Sequence, residues 1–168
     1  MADIVDNVIE NNAEMEEDTQ KDRYLIFSLG KEYYGIDIRY VTEIIGIQPI
    51  TEIPELPDYM KGIINLRGKI IPVMDVRIRF KKEPREYNDR TCIIVFEIQD
   101  TLIGLIADSV AEVLTIPEQD IVEPPQMSKG SNNKYIKKIG KVGNNVRLII
   151  DCEKLLSERE LDDVNIAL

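Results

Sequence analysis

Hydrophobic residues along this chain fall in short runs of strand character, each closed by glycine, proline, asparagine or aspartate, and hardly any run keeps a helical period. Tyr24 to Ile38 (YLIFSLGKEYYGIDI) predicts a hairpin about Gly30-Lys31. From Arg39 to Ile45, Val41, Ile44 and Ile45 recur at helix-like spacing, which predicts one helical turn and then an extended segment over Gly46 to Ile53. Pro54 and Pro57 punctuate a loop, and Asp58 is placed to cap a short helical turn leading to Lys61. A second hairpin follows, with Ile63-Ile64 and the run Ile70 to Met74 flanking Asn65-Leu66-Arg67-Gly68. Gly68 supplies a positive φ at that turn without a Cβ clash. Lys81 to Arg90 is polar and holds a proline, the composition of a linker.

The pattern then restarts. Thr91 to Ile106 predicts a third hairpin, Ala107 to Leu114 another short helical turn, and Pro124-Pro125 a loop running to Asn133. Tyr135 to Ile150 predicts a last strand pair about Gly143-Asn144-Asn145. Asp151 to Leu161 is the one amphipathic helix, with Asp151 as cap and Leu155, Leu156 and Leu161 inward. Phe27/Phe96, Gly35/Gly104, Val41/Val110, Glu43/Glu112 and Ile47/Ile116 are identities 69 positions apart, and Asp75/Asp151 lies 76 apart. A shared register with one loop insertion marks an internal duplication. Each half is near the lower size for an independent core, so the halves are expected to pack as one unit. Short strands and little helix predict an all-β fold, as a sandwich or as small barrels.

Charge and composition narrow the function. With 31 acidic and 21 basic residues the net charge is −10, which disfavours a phosphate backbone as main partner. Two basic stretches, over 77–85 and 134–141, lack the interleaved aromatics of a base-stacking surface. The chain has no histidine, which removes histidine triads, most zinc sites and histidine phosphotransfer. Cys92 and Cys152 have no CxxC spacing and read as small apolar residues, so no metal and no cofactor is expected. No phosphate-binding glycine loop occurs and no serine has a histidine partner, so no catalytic residue is assigned. Residues 1–21 form an acidic N-terminal arm, with seven acids and no base in the first 20; with no signal-peptide pattern and no membrane-length apolar run, a cytoplasmic location is expected.

The stretch MKGIINLRGKIIPVMDVRIRF, Met60 to Phe80, resembles the signature of the CheW family of bacterial chemotaxis coupling proteins: a K-G, an N-L-R-G and a P-V-x-D-V-R at that family's spacing. The resemblance extends over about residues 22–157, leaving 158–168 as the end of the helix and a tail. It implies two packed five-stranded barrels like Src-homology-3 domains, with approximate lobes 22–84 and 88–150 between which the chain can cross. It implies a non-enzymatic adaptor linking the cytoplasmic helical-hairpin tips of chemoreceptors to the regulatory domain of the histidine kinase CheA, and hence residence at membrane receptor arrays. Residue by residue, Val41, Glu43, Gly62, Arg67 and Gly68 match the family's partner-binding positions, and Gly104 and Gly140 match second-lobe glycines tied to kinase coupling. Each glycine equally suits a turn or a close-packing role, Val41 suits the core as well as a groove, and Glu43 and Arg67 suit a mutual ion pair. The competing class is a small-barrel module for a small ligand or nucleic acid.

Overall fold

The computed structural model describes residues 20–125 and 132–155. Eleven strands follow in order among them: β1 Arg23–Leu29, β2 Glu32–Asp37, β3 Val41–Gly46, β4 Met60–Leu66, β5 Lys69–Asp75, β6 Cys92–Ile98, β7 Thr101–Ala107, β8 Ser109–Thr115, β9 Ile121–Val122, β10 Ile136–Val142 and β11 Asn145–Ile150. The four hairpins stand where the apolar runs predict them. The three short helical turns do not. Val41–Gly46 is strand throughout, and only Ile38–Tyr40 before it forms a 3-10 turn. Ser109–Thr115 is likewise strand, and the chain after Asp58 enters β4 directly from a turn in which the Met60 N–H donates to Pro57 O. The reason lies in edge pairing. β3 and β8 each hydrogen-bond one neighbour in their sheet and leave apolar residues such as Ile44 and Val113 exposed, so the apolar spacing misleads. Of the C-terminal helix, Cys152–Leu155 is described, with Leu155 fully buried and the Asp151 carboxylate accepting from the Glu153 N–H; Leu156 and Leu161 lie outside the described residues, as do the arm's residues 1–19.

The strands build two sheets, ordered β8-β1-β2-β11-β10-β9 and β3-β6-β7-β5-β4. In the second, Thr51 downstream of β3 pairs with Ile63 of β4, so one continuous segment joins both edges and closes a five-stranded barrel. In the first, β9 downstream of β8 pairs with β10 at Ile139 and Gly140 and closes the barrel in the same way. The fold is therefore all-β with two small barrels.

Neither barrel follows the lobe limits 22–84 and 88–150. β1 and β2 sit with β8–β11, while β6 and β7 sit with β3–β5: each half gives its first hairpin to the other half's barrel. The seams are parallel pairs, Val73 with Gly104 and Ile149 with Gly35. Under the offsets of 69 and 76 these are one and the same pair, repeated. The repeat extends to bulges between Met60 and Gly62 and between Ile136 and Lys138, and to the Asp75 N–H bonded to Tyr59 O and the Asp151 N–H bonded to Tyr135 O, both at 2.8 Å.

This exchange explains why the first hairpin of each half reads as nearly continuous apolar sequence. One face of β1 (Tyr24, Ile26) fills its own barrel with Ile116 and Ile149, and the other face (Leu25, Phe27, Leu29) enters a larger core shared with Phe96, Ile98, Ile103 and Leu105 of the other barrel. Arg79 closes the shared core near its rim. Its guanidinium lies 4.1 Å from the Tyr59 ring centroid and 4.9 Å from that of Tyr135, the repeat-equivalent tyrosine, and its Nε donates to Leu155 O at 2.8 Å. Because each barrel borrows two strands and both line one core, the barrels should unfold in a single step. Melting followed by near-ultraviolet dichroism and by intrinsic tyrosine fluorescence should give coincident transitions, and separated ones would refute the shared-core account.

Candidate interaction surface

The β4–β5 hairpin carries three of the residues singled out by sequence, Gly62, Arg67 and Gly68. Its tip, Arg67-Gly68, has φ of +51° and +86°, positive at both central positions as a tight primed turn requires, and the Gly68 N–H donates to Asn65 Oδ1 at 2.9 Å. Arg67 thus occupies a left-handed conformation that an L-residue enters at a cost of roughly 1 kcal/mol. Its side chain is 71% exposed and donates through Nη2 to Glu43 Oε1 on β3. An ion pair this open contributes at most about 1 kcal/mol. Glu43, Arg67 and Gly68 are therefore brought together, at a tip whose geometry holds a strained backbone beneath a largely solvated cation. Arg67→Gly should leave the denaturant midpoint within about 1 kcal/mol of wild type, since relief of the left-handed backbone offsets the lost pair. A greater loss would make Arg67 a brace.

The remaining four occupy other environments. Val41, half-buried, starts β3 opposite Phe96 and packs on the shared core. Gly62 lies at the bulge of β4 with φ +143°, and a Cβ there would sit 2.0 Å from Thr51 O. Gly104 is enclosed by Ile93 Cγ2 and Val73 Cγ1, 2.7 and 2.8 Å from a Cβ, and Gly140 by Ile116 Cδ1 at 2.8 Å. Gly104 and Gly140 lie inside the two barrels, where their lack of a side chain lets neighbouring strands and side chains approach.

Two features were not singled out. One is a pair of exposed apolar positions on each barrel: Ile44 and Ile70 on one, 42% and 47% exposed, and Val113 and Val146 on the other, 40% and 56% exposed. They are repeat equivalents, so the duplication offsets, applied to surface residues as well as to identities, would have found them. The other is a polar cleft of about 390 Å³ where the chain passes from one barrel to the other. Asp108, between β7 and β8, accepts from Arg77 Nε at 2.7 Å and Nη2 at 2.6 Å, from the Gly30 N–H at 2.7 Å and from Arg85 Nη1 at 3.2 Å. Burial works against its ionisation, but the Arg77 and Gly30 hydrogen bonds with the Arg77 charge prevail and hold its carboxyl below the ordinary range. Beside it, Asp75 accepts from the Arg77 N–H and from the Tyr87 hydroxyl. Burial first, then that bond and the Asp75 charge, push the Tyr87 phenol up. These groups answer one another. Burial pushes the Cys152 thiol up to about 12, so it stays protonated. Among the described residues no group of three or more histidine, cysteine, aspartate or glutamate side chains is placed to hold a metal ion, and no helix is long and apolar enough to cross a membrane.

A sequence model of the CheW-like domain matches residues 23–160, most of the chain. The chain belongs to the CheW family. Among its relatives, the chemotaxis protein CheW of Klebsiella aerogenes is 36% identical over 144 residues, covering 86% of this chain and 87% of the relative. That of Treponema pallidum is 35% identical over 139 residues, covering 80% and 82%. The crystal structure of the scaffolding protein TtCheW from Thermoanaerobacter tengcongensis superimposes with a TM-score of 0.75 at 38% identity, covering 83% of this chain and 90% of that one. The CheW-like match takes in both barrels and the linker 81–91, so the family unit is the hairpin-exchanged pair rather than either half.

Proposed function

We propose that this chain is a non-enzymatic adaptor of bacterial chemotaxis that holds chemoreceptor tips against the regulatory domain of the histidine kinase CheA, at membrane receptor arrays and in the cytoplasm. The observation that carries the reading is the doubled surface: each barrel of a CheW-like chain presents an equivalent exposed apolar pair, Ile44 with Ile70 and Val113 with Val146, and the two barrels share one core. Two related surfaces on one body suit a connector that engages two partners at once. A helical receptor hairpin meets such a protein by placing apolar side chains in a groove. Glu43, Arg67 and Gly68 are proposed as direct contacts. Val41, Gly62, Gly104 and Gly140 are proposed to act on partner binding through the positions of the strands they pack.

Arg67 is the sharpest test. A planar guanidinium with five donors, held on a fixed turn and only loosely paired, is suited to carboxylates or backbone carbonyls of a partner, and lysine does not reproduce its fork. Arg67→Ala should weaken capture of a receptor-tip fragment or of a CheA regulatory domain by about 30-fold, roughly 2 kcal/mol, with Arg67→Lys a partial rescue. Titration of both fragments against wild type and the two variants measures this. Unchanged affinity for both partners in a folded Arg67→Ala protein would remove Arg67 from the interface, and no binding of either fragment by wild type would remove the adaptor reading itself.

A further inference from the structure

The duplication that builds the two barrels leaves one of its paired sites incomplete. In the first, the Glu43 carboxylate on β3 receives the Arg67 guanidinium from the β4–β5 tip, beside the exposed Ile44 and Ile70. The offsets of 69 and 76 put Glu112 of β8 and Gly143 of the β10–β11 tip in the same two positions, beside the exposed Val113 and Val146. Gly143 has no side chain to give. Glu112 is exposed, and among the described residues its carboxylate takes no ion pair and no hydrogen bond.

Glu112 and Val146 line an open cleft of about 500 Å³ together with Lys31, Glu32, Tyr33 and Arg147. Tyr33 and Arg147 stand where the other repeat has Leu102 and the buried Ile71. Neither cation of the cleft pairs with Glu112. Arg147 is committed elsewhere: its guanidinium carbon lies 4.6 Å from the Tyr33 ring centroid, its Nη1 donates to Val146 O at 3.2 Å, and its Nε is buried. Glu32, the cleft's other carboxylate, accepts from Lys82 Nζ at 2.8 Å and from the Tyr34 hydroxyl at 2.6 Å. Glu112 is therefore the acceptor that the chain leaves open there, at the position where the other repeat supplies an arginine.

We propose that this cleft receives an arginine side chain of a partner protein, docked on Glu112 as Arg67 docks on Glu43. It rests on the adaptor reading and gives the face of Val113 and Val146 its partner chemistry: a segment that presents an arginine next to an apolar side chain, the guanidinium on Glu112 and the apolar group on the two valines. Arginine is selected over lysine because a planar fork engages both carboxylate oxygens. The apolar rim excludes water once covered, so the pair is stronger there than the open Glu43–Arg67 pair. One face offers an arginine and the other a bare carboxylate. The two equivalent surfaces therefore discriminate between partners by charge as well as by shape.

The test has two arms, both on the full chain. In the first, N-acetyl-arginine amide is titrated in and followed by nuclear magnetic resonance. It should shift the Glu112 carboxyl carbon and the Val113 and Val146 amides more than the Glu43 carboxyl, whose site Arg67 fills, and more than N-acetyl-lysine amide shifts them. Equal shifts at Glu112 and at the exposed Glu97 and Glu118 overturn the proposal. In the second, Glu112→Gln and Gly143→Arg should each weaken binding of one of the two fragments, receptor tip or CheA regulatory domain, by about tenfold. Glu112→Gln removes the acceptor, and Gly143→Arg fills it from within. The Gly143 φ of +60° is close to the +51° that Arg67 occupies, and nothing lies within 4 Å of its Cβ, so the fold accepts the change. Blocking the fragment's arginines with cyclohexanedione should weaken its binding to wild type and cost nothing further with Glu112→Gln. Unchanged affinity of Glu112→Gln for both fragments would overturn the proposal and leave the adaptor reading standing. If wild type binds neither fragment, the adaptor reading falls, and the arginine-amide titration decides whether Glu112 is an arginine site.

Discussion

Gly62→Ala should lower the unfolding free energy by about 3 kcal/mol or more, and it should do so without touching the surface. The expectation rests on two coincident demands. With φ of +143° the backbone lies in a region that a side-chain-bearing residue enters only under strain, and a Cβ built there falls 2.0 Å from Thr51 O and 2.8 Å from Thr51 C. No rotamer relieves a backbone contact, so either the bulge of β4 or the Thr51 segment has to move. That segment closes the second barrel, with Thr51 N–H donating to Ile63 O and Ile63 N–H donating to Thr51 O, both at 2.9 Å. The substitution therefore opens the barrel where its two edges join. Gly46→Ala is the control: nothing lies within 4 Å of its Cβ and its φ is ordinary, so its effect should stay within about 0.5 kcal/mol. Urea midpoints of the three proteins, with the slope monitored, measure the difference. A cost for Gly62→Ala below about 1 kcal/mol would show that the Thr51 bridge is dispensable to closure.

Asp108→Ala should cost about 3–5 kcal/mol, because it leaves the Arg77 guanidinium, only 14% exposed, facing an emptied carboxylate site. Arg85, 57% exposed, should contribute little, and Arg85→Ala is expected to cost under about 1 kcal/mol. Asp108 and Arg77 should be strongly non-additive in a double-mutant cycle, since each satisfies the other through two hydrogen bonds. The pH dependence follows from the sign of the shift. The folded carboxyl titrates below its unfolded value, so its stabilisation is complete above the ordinary aspartate pKa of about 4 and disappears as pH falls through the lower folded value. Stability of wild type should accordingly drop below about pH 4, and Asp108→Asn should flatten that limb while lowering the plateau above it. An unchanged limb in Asp108→Asn would place the acid sensitivity in other carboxylates.

Both effects bear on the adaptor. Asp108 stands where the chain leaves one barrel for the other, holding the β1–β2 turn by the Gly30 N–H and the helical turn after β5 by Arg77. Ser28 and Ser109 add a hydroxyl pair at 2.7 Å, and the Asp108 N–H donates to Ser28 O. Together with the Arg79 stack on Tyr59 and Tyr135, these contacts set the angle between the barrels. They thereby set the spacing of Ile44 and Ile70 from Val113 and Val146. A connector transmits position only if its two faces are rigidly related, so Asp108→Asn should weaken joint capture of both partners more than capture of either alone.

The sequence by itself determined the strands of the four hairpins, the turn residues between them, the duplication with its offsets of 69 and 76, and the family, through the run from Met60 to Phe80. These are local or repeated properties: turn chemistry fixes a hairpin within a dozen residues, and a duplicated register needs no partner to be seen. The tertiary structure alone decided which barrel each hairpin joins. The runs Tyr24–Leu29 and Cys92–Ile98 are apolar on both faces, and only the shared core shows that the second face serves the other barrel. It alone turned Val41–Gly46 and Ser109–Thr115 into strands, because an edge satisfies backbone groups that the residues' own helix-like spacing would have paired locally. And it alone gave Asp108 and Gly62 their weight: Arg77 is 31 residues from Asp108 and Thr51 is 11 from Gly62, separations at which a hydrogen bond or a clash is set by the packing of strands and carries no periodic mark in the chain.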